Sequence, residues 1–300
     1  SLADFKALTS VSCPPSLVYF HESQLTYPLA PGEEMDYQFG FTDITTALAA
    51  DRILFNSKTH RDAFIVALPG FLKMMPDYRP NWVTEAIKPK IAVLHPGCRF
   101  PANEVFEKHQ PEEFVPLIIW NHRWEFDKYP EAFFDALDAV LHSGSEFRLA
   151  LLGESARAVP KPFLSARERL GDRVVQYGFV DSRVDYINWL KQGDITVSTA
   201  IQENFGIATV EAIRYGCLPL LPQRLSYPEI IPSEYQSEVL YRNMDDLVAK
   251  LLQRIHHLSN YRGLRRSLSE AMGQYSWENQ IDLFDTELEQ LPCRAKRNSS

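Results

Sequence analysis

Among the 300 residues, 45% are apolar and 23% charged, a balance that excludes a disordered chain and leaves enough length for two domains or one large α/β unit. Thirty-one Lys and Arg against 39 Asp and Glu give a net charge of −8, which excludes a general polyanion coat or an anionic-membrane binder, because both need basic faces. No apolar run reaches the roughly 18 residues that span a bilayer, and Cys13, Cys98, Cys217 and Cys293 lack CxxC pairing, so a soluble, cytoplasmic protein without disulfide framework or zinc ribbon is expected.

From 16 to 55 the pattern reads as a strand (LVYF) running into His21-Glu22, a polar turn, a helix over 42–50 and a second strand (RILF). A helix is predicted from 58 to about 68. The Pro-studded stretch 69–89 then breaks all periodicity and reads as a loop or lid, before a short strand at 91–94. Residues 98–116 have the composition of an interdomain connection. Beyond Pro116 strands and helices alternate: PLIIW, a helix over 130–142, FRLALLG, a helix over 162–170, RVVQYGF, a helix over 183–192, DITVST, a helix over 206–215, LPLL and EVLY. Short apolar strands separated by amphipathic helices predict a doubly wound parallel sheet, in which ligands bind at strand C-termini. The expected organisation is therefore a Rossmann-like domain over 1–97, a linker over 98–116, a second Rossmann-like domain over 117–275, a C-terminal helix over 276–291 and a disordered tail over 292–300.

Two loops at strand ends carry candidate chemistry. In the segment 198–211, Glu203 falls in a loop and Glu211 in the helix that begins near Gly206. A ligand lying across that helix N-terminus can meet both carboxylates, with the amides of Asn204, Phe205, Gly206 and Ile207 facing a phosphate. A loop surface acid and a solvated helix position account for the spacing equally well. In the loop 121–130, Arg123 and Lys128 can grip a diphosphate without metal, Arg through its planar fork and Lys as a compact charge. The alternative is a solvated loop of mixed charge. His21, directly after the first strand, is either a catalytic group or a partner of nearby backbone. The other histidines show no metal-ligand spacing, and no Asp-x-Asp clamp or Gly-rich phosphate loop is present.

The 203–211 segment (E-N-F-G-I-A-T-V-E), the Arg123-x4-Lys128 pair, the L-L-G-E turn at Gly153-Glu154 and His21-Glu22 together resemble the retaining glycosyltransferases of family 4. That resemblance implies the GT-B fold, two Rossmann-like α/β domains with parallel sheets. The strings HESQLTYP, EEMDYQFGF, ADRILFNS, LHPGCRFP, NHRWEFDK, STAIQENFG and LSYPEIIP are similar to one branch, the tRNA-queuosine α-mannosyltransferases, over about residues 16–290.

The branch resemblance implies transfer of mannose from GDP-mannose, with retention and without a metal cofactor, to queuosine at the wobble position of the tRNA for aspartate. No obligate protein partner is implied. Under it, Arg123 and Lys128 hold the diphosphate, Glu203 the mannose hydroxyls and Glu211 the ribose. Asn204, Phe205, Gly206 and Ile207 meet sugar and phosphate through backbone, Gly153 belongs to the donor site, and His21 sits over the donor sugar. The family pattern begins with a further β-α segment bearing a Gly-rich turn, and nothing before Leu17 matches it, so the first domain is expected to lack that segment. Basic residues concentrate in the first domain, and Lys73 and Arg79 are expected on the acceptor side. Two other functions stay open: a family-4-like transferase for a small molecule or lipid, although no basic amphipathic helix is found, and a noncatalytic nucleotide-sugar or RNA-binding module.

Overall fold

The computed structural model describes residues 1–9, 13–30, 32–75, 78–103, 114–154 and 159–291. The chain divides into two compact units, one of Ser1–Pro96 with Gln280 onward, the other of Gly97–Asn279.

In the first unit, helix α1 (Leu2–Leu8) precedes strand β1 (Leu17–Phe20), followed by α2 (Tyr37–Ala49), β2 (Arg52–Phe55), α3 (Lys58–Lys73), α4 (Trp82–Ile87) and β3 (Ile91–Val93). The strands form a parallel sheet in the order β1-β2-β3, with Leu17 opposite Arg52 and Ile53 opposite Ile91. Parallel strands need helical crossovers, and α2 and α3 bury Ile44, Ala47, Phe64, Leu68 and Phe71 with Ile53 and Phe55 in one core. At Gly40 the approach is closest: a Cβ there would lie 2.5 Å from the Phe71 ring. Lys90 ends α2 by donating to the carbonyls of Leu48 and Ala50.

The stretch 69–89 is not the loop or lid that its prolines predict. Helix α3 runs through Pro69 to Lys73, and α4 occupies Trp82–Ile87; Pro76 and Asp77 lie outside the described residues. Pro69 sits on an exposed face and removes one ladder bond, whereas stopping the helix there would unseat the buried Phe71 and Leu72.

The second unit contains β4 (Leu117–Trp120), α5 (Pro130–His142), β5 (Arg148–Leu152), α6 (Lys161–Leu170), β6 (Val174–Gly178), α7 (Arg183–Gln192), β7 (Ile195–Val197), α8 (Ile207–Arg214), β8 (Leu218–Pro222), α9 (Tyr227–Ile230), α10 (Gln236–Val239), β9 (Leu240–Tyr241), α11 (Met244–His257) and α12 (Arg262–Met272). Its six strands are parallel in the order β6-β5-β4-β7-β8-β9, the doubly wound order whose direction of winding reverses between β4 and β7. Every residue of β4 and β7 is buried, as a sheet covered on both faces requires. The loops leaving the C-terminal ends of β4 and β7 stand side by side at this switch point.

Residues 98–102, within the stretch expected to be a linker, are bonded into this unit. Cys98 N–H donates to the Tyr275 carbonyl, Trp277 N–H donates to that of Cys98, and the buried Arg214 guanidinium donates to the carbonyls of Pro101, Ala102 and Ser269. Residues 104–113 of the expected linker and the expected tail 292–300 lie outside the described residues. Helix α13 (Trp277–Glu289) comes last; within the first unit its Glu287 carboxylate takes two hydrogen bonds from Arg52 and Phe284 packs on Tyr19.

Candidate functional site

The loop after β4 carries Asn121, His122, Arg123, Asp127 and Lys128; the loop after β7 carries Gln202, Glu203 and Gly206. The two are joined by backbone. The Asp127 carbonyl accepts from the amides of Ile201 and Gln202, and the Thr199 hydroxyl bonds the carbonyls of Lys128 and Tyr129. Tyr129 adopts a left-handed backbone (φ 50°) as it enters α5, a conformation that ordinarily costs about 1–2 kcal/mol for a side chain of this kind.

Lys128 is buried. Its ammonium donates to the Gln202 carbonyl at 2.9 Å and to Glu203 Oε2 at 3.2 Å, and forms an ion pair with Asp127 Oδ2 at 3.0 Å. Burial acts to lower its pKa, but the Glu203 and Asp127 carboxylates outweigh it and hold the ammonium above its usual range. Arg123 points outward beside Glu125, 3.3 Å away. At 59% exposure that pair contributes little to stability and leaves the guanidinium available to an anion. His122 is buried with Nε2 unpartnered among the described residues. Desolvation and the nearby Lys128 charge push its pKa down to about 3, so the ring is neutral.

Gly206 opens α8 with φ +96°, a left-handed position where glycine avoids strain. The first amides of α8 have no partner within the helix, and the positive end of the helix dipole lies there. The Phe205 ring is buried, 5.2 Å from that of Tyr275. Asn204 Oδ1 accepts from Gln202, and Ile207 is exposed. Glu211, in the second turn of α8, is buried and accepts from Arg183 and from the Tyr186 hydroxyl. Asn121 in turn donates to that hydroxyl and to the Ala208 carbonyl. A carboxylate has about four acceptor positions, so Glu211 retains capacity for further hydroxyl donors.

A cavity of about 430 Å³ lies beside these loops, lined by residues that include Arg123, Glu125, Gly153, Phe179 and Tyr186. Of the residues singled out in the sequence it collects Arg123 and Gly153, and Tyr186 connects it to Glu211; Lys128, Glu203 and Gly206 are not in its lining. Gly153 is forced by close approach, since a Cβ there would sit 2.3 Å from the His122 carbonyl oxygen. No group of three or more His, Cys, Asp or Glu that could hold a metal occurs among the described residues.

Sequence reasoning missed Arg183, Tyr186 and Asp127. The first two lie on α7, where nothing in the run VDYINWLK marks a ligand; Asp127 was legible only as one more charge in a polar loop.

The remaining singled-out residues belong to the first unit. His21, exposed at the end of β1, has its ring 4.7 Å from Tyr19, and its carbonyl accepts from Asn56. Asn56 Oδ1 meets the buried His60 Nδ1 at 2.8 Å; burial and the nearby His21 push the His60 pKa down to about 4. Lys73 ends α3 and Arg79 precedes α4; both are exposed, neither has an ion-pair partner among the described residues, and Met74, Tyr78 and Trp82 are exposed near them in sequence.

A doubly wound parallel sheet with charged loops at its strand ends is an architecture found among glycosyltransferases of the GT-B fold, and similarity to known proteins assigns the chain to that class. Residues 102–275 match the family described as Glycosyl transferases group 1. A sucrose-phosphate synthase from Thermosynechococcus elongatus shares the fold at a TM-score of 0.71 and 17% identity, over 92% of this chain and 67% of that one. Residues 1–98 match the family described as tRNA-queuosine alpha-mannosyltransferase N-terminal, and a tRNA-queuosine alpha-mannosyltransferase of Drosophila melanogaster is 35% identical over 287 residues, 90% of this chain and 74% of that protein. The chain belongs to the tRNA-queuosine α-mannosyltransferase family. A GDP-mannose-dependent alpha-(1-6)-phosphatidylinositol dimannoside mannosyltransferase of Mycobacterium tuberculosis is 23% identical over 154 residues, 51% of this chain and 39% of that protein. No described helix is long and apolar enough to cross a membrane.

Proposed function

We propose that this protein transfers mannose from GDP-mannose to queuosine at the wobble position of a tRNA for aspartate, in the cytoplasm, with retention at the anomeric carbon. The observation that carries the reading is the 35% identity, over 90% of the chain, to the Drosophila protein of that name. The GDP-mannose-dependent Mycobacterium relative supports the donor.

In this reading the bond from the anomeric carbon to the diphosphate oxygen breaks while the queuosine hydroxyl oxygen bonds to the same face of that carbon. The hydroxyl proton passes to the departing phosphate. Negative charge grows on the phosphate as the bond lengthens, so cations fixed beforehand stabilise the transition state more than the ground state. Arg123 and Lys128 supply that charge in place of a metal, with the α8 N-terminus opening at Gly206 adding its dipole. Glu203 and Glu211 accept from donor hydroxyls, and Gly153 keeps the loop after β5 close against the loop bearing Arg123. On the first unit, His21 serves the donor sugar. Lys73 and Arg79 are read as acceptor contacts, because exposed cations close in sequence to the exposed Tyr78 and Trp82 suit phosphates and splayed bases.

The test is incubation with labelled GDP-mannose and queuosine-containing tRNA, followed by nucleoside mass spectrometry, with Glu203→Ala as control. Mannosyl-queuosine is expected from the wild-type protein alone. Equal product from both, or none from the wild type with a tRNA carrying unmodified queuosine, overturns the reading.

A further inference from the structure

We propose that Asp127 is a positioning residue: a buried counter-charge that anchors the Lys128 ammonium while the donor diphosphate exchanges with Glu203 for it. The inference rests on the reading of Lys128 as a diphosphate ligand and adds to it a residue which that reading does not use.

The geometry sets the three acceptors of Lys128 apart. The Gln202 carbonyl is backbone, and its own peptide is fixed because the Gln202 amide bonds the Asp127 carbonyl. The Asp127 side chain is 1% exposed, its oxygens take no hydrogen bond among the described residues, and its ion pair there is with Lys128. Of the two carboxylates Glu203 is the more exposed, at 17% against 1%, and it makes the longest of the three contacts. An arriving phosphate oxygen therefore displaces Glu203 and not Asp127. The exchange leaves the Glu203 carboxylate free to accept sugar hydroxyls, so engagement of the diphosphate and exposure of the sugar ligand are one event.

A buried carboxylate with a single partner is costly unless that partner stays charged and in place. Asp127 is therefore retained for what it does to Lys128. The other charged or titratable groups near Lys128 do not substitute for it. His122 is neutral, Arg224 is spent on the Thr199 and Ala200 carbonyls, and Tyr227, which interacts with Glu203, has its phenol pushed well above the usual range by burial. Removing one of two counter-charges from a buried lysine lowers the pH at which it loses its proton.

The experiment is calorimetric titration with GDP at several pH values between 7 and 9.5 for wild type, Asp127→Asn, Lys128→Met and Glu203→Gln, each expressed as a ratio to wild type to remove the ligand's own titration. Lys128→Met is expected to weaken GDP at least tenfold at every pH. Asp127→Asn, nearly isosteric and keeping the backbone bonds, is expected to bind better than Lys128→Met at pH 7 and to approach it by pH 9.5. Glu203→Gln removes the counter-charge that the diphosphate replaces, and is expected to fall less over the same pH range than Asp127→Asn, because Asp127 stays beside the ammonium in the bound state. An unchanged Lys128→Met overturns the reading of Lys128 itself. A weakened Lys128→Met with a pH-independent Asp127→Asn ratio overturns the role of Asp127 alone. If Asp127→Asn does not fold, Glu203→Gln decides: a ratio falling toward that of Lys128→Met at high pH would make Glu203 the group that holds the charge.

Discussion

Replacing Gly153 with alanine tests whether the two loops at the ends of β4 and β5 must touch for the donor to bind. The added Cβ would lie 2.3 Å from the His122 carbonyl oxygen and 3.2 Å from Trp124 Nε1. An ordinary carbon–oxygen contact is about 3.3–3.6 Å, so about 1 Å of movement must be absorbed. Trp124 yields little, stacked on Phe163 at 4.2 Å with its amide bonded to the Glu154 carbonyl. The shift falls on the peptide preceding Arg123. Overpacking of this kind costs about 1–3 kcal/mol, and a unit of this size loses roughly 2–4 °C of Tm per kcal/mol, giving a fall of about 2–12 °C. A cation misplaced by about 1 Å costs on the order of a hundredfold in rate, so kcat/KM is expected to drop ten- to a hundredfold and GDP affinity to fall with it. Calorimetry, thermal melts and turnover measure the three. A variant with wild-type Tm and wild-type GDP affinity would refute the argument that this contact shapes the donor site.

Two further outcomes are expected. Reversing Lys73 and Arg79 to Glu should weaken tRNA binding severalfold or more at moderate salt while leaving GDP affinity unchanged, because both cations are exposed and on the first unit; filter binding at two salt concentrations measures it, and unchanged RNA affinity removes them from the acceptor surface. Acidification through the histidine range should destabilise both units. His60 and His122 stay neutral in the fold down to about pH 4 and 3, whereas in the unfolded chain histidine protonates near pH 6.5. Between those limits the unfolded state binds the extra proton, so stability falls as pH falls, by about 2 kcal/mol for each histidine on going from pH 7 to 5. A Tm constant over that range would show that one or both rings are charged in the folded protein.

Much of the fold is legible in the sequence because each strand of the second unit is a short apolar run bounded by polar punctuation, and the helices over 130–142 and 183–192 match α5 and α7 residue for residue. The failure at 69–89 has a local cause. Proline density signals breaks, but Pro69 occupies an exposed helical position, and the burial of Phe71, Val83 and Ile87 that fixes α3 and α4 is tertiary. Helix α1 went unread for a similar reason: seven residues carrying no buried side chain leave no periodic signature, only the Ser1–Asp4 capping box. At the site, the strand-end rule located both loops. It did not reveal that Lys128 is buried between two acids, since adjacent unlike charges in a polar loop look the same whether solvated or enclosed. Nor did it reveal Arg183 and Tyr186, which reach Glu211 only through the packing of α7 beside α8.

The backbone bonds from Asp127 to Ile201 and Gln202, with those from Thr199 to Lys128 and Tyr129, weld the two switch-point loops into one piece. Neither loop can gain or lose a residue without uncoupling the other, so variation in donor choice has to enter elsewhere. The wall formed by Leu152, Phe179 and Val180 lies outside that weld. Redesign of the nucleotide preference therefore belongs on that wall, where new side chains can be tried without moving the charged residues across the cavity.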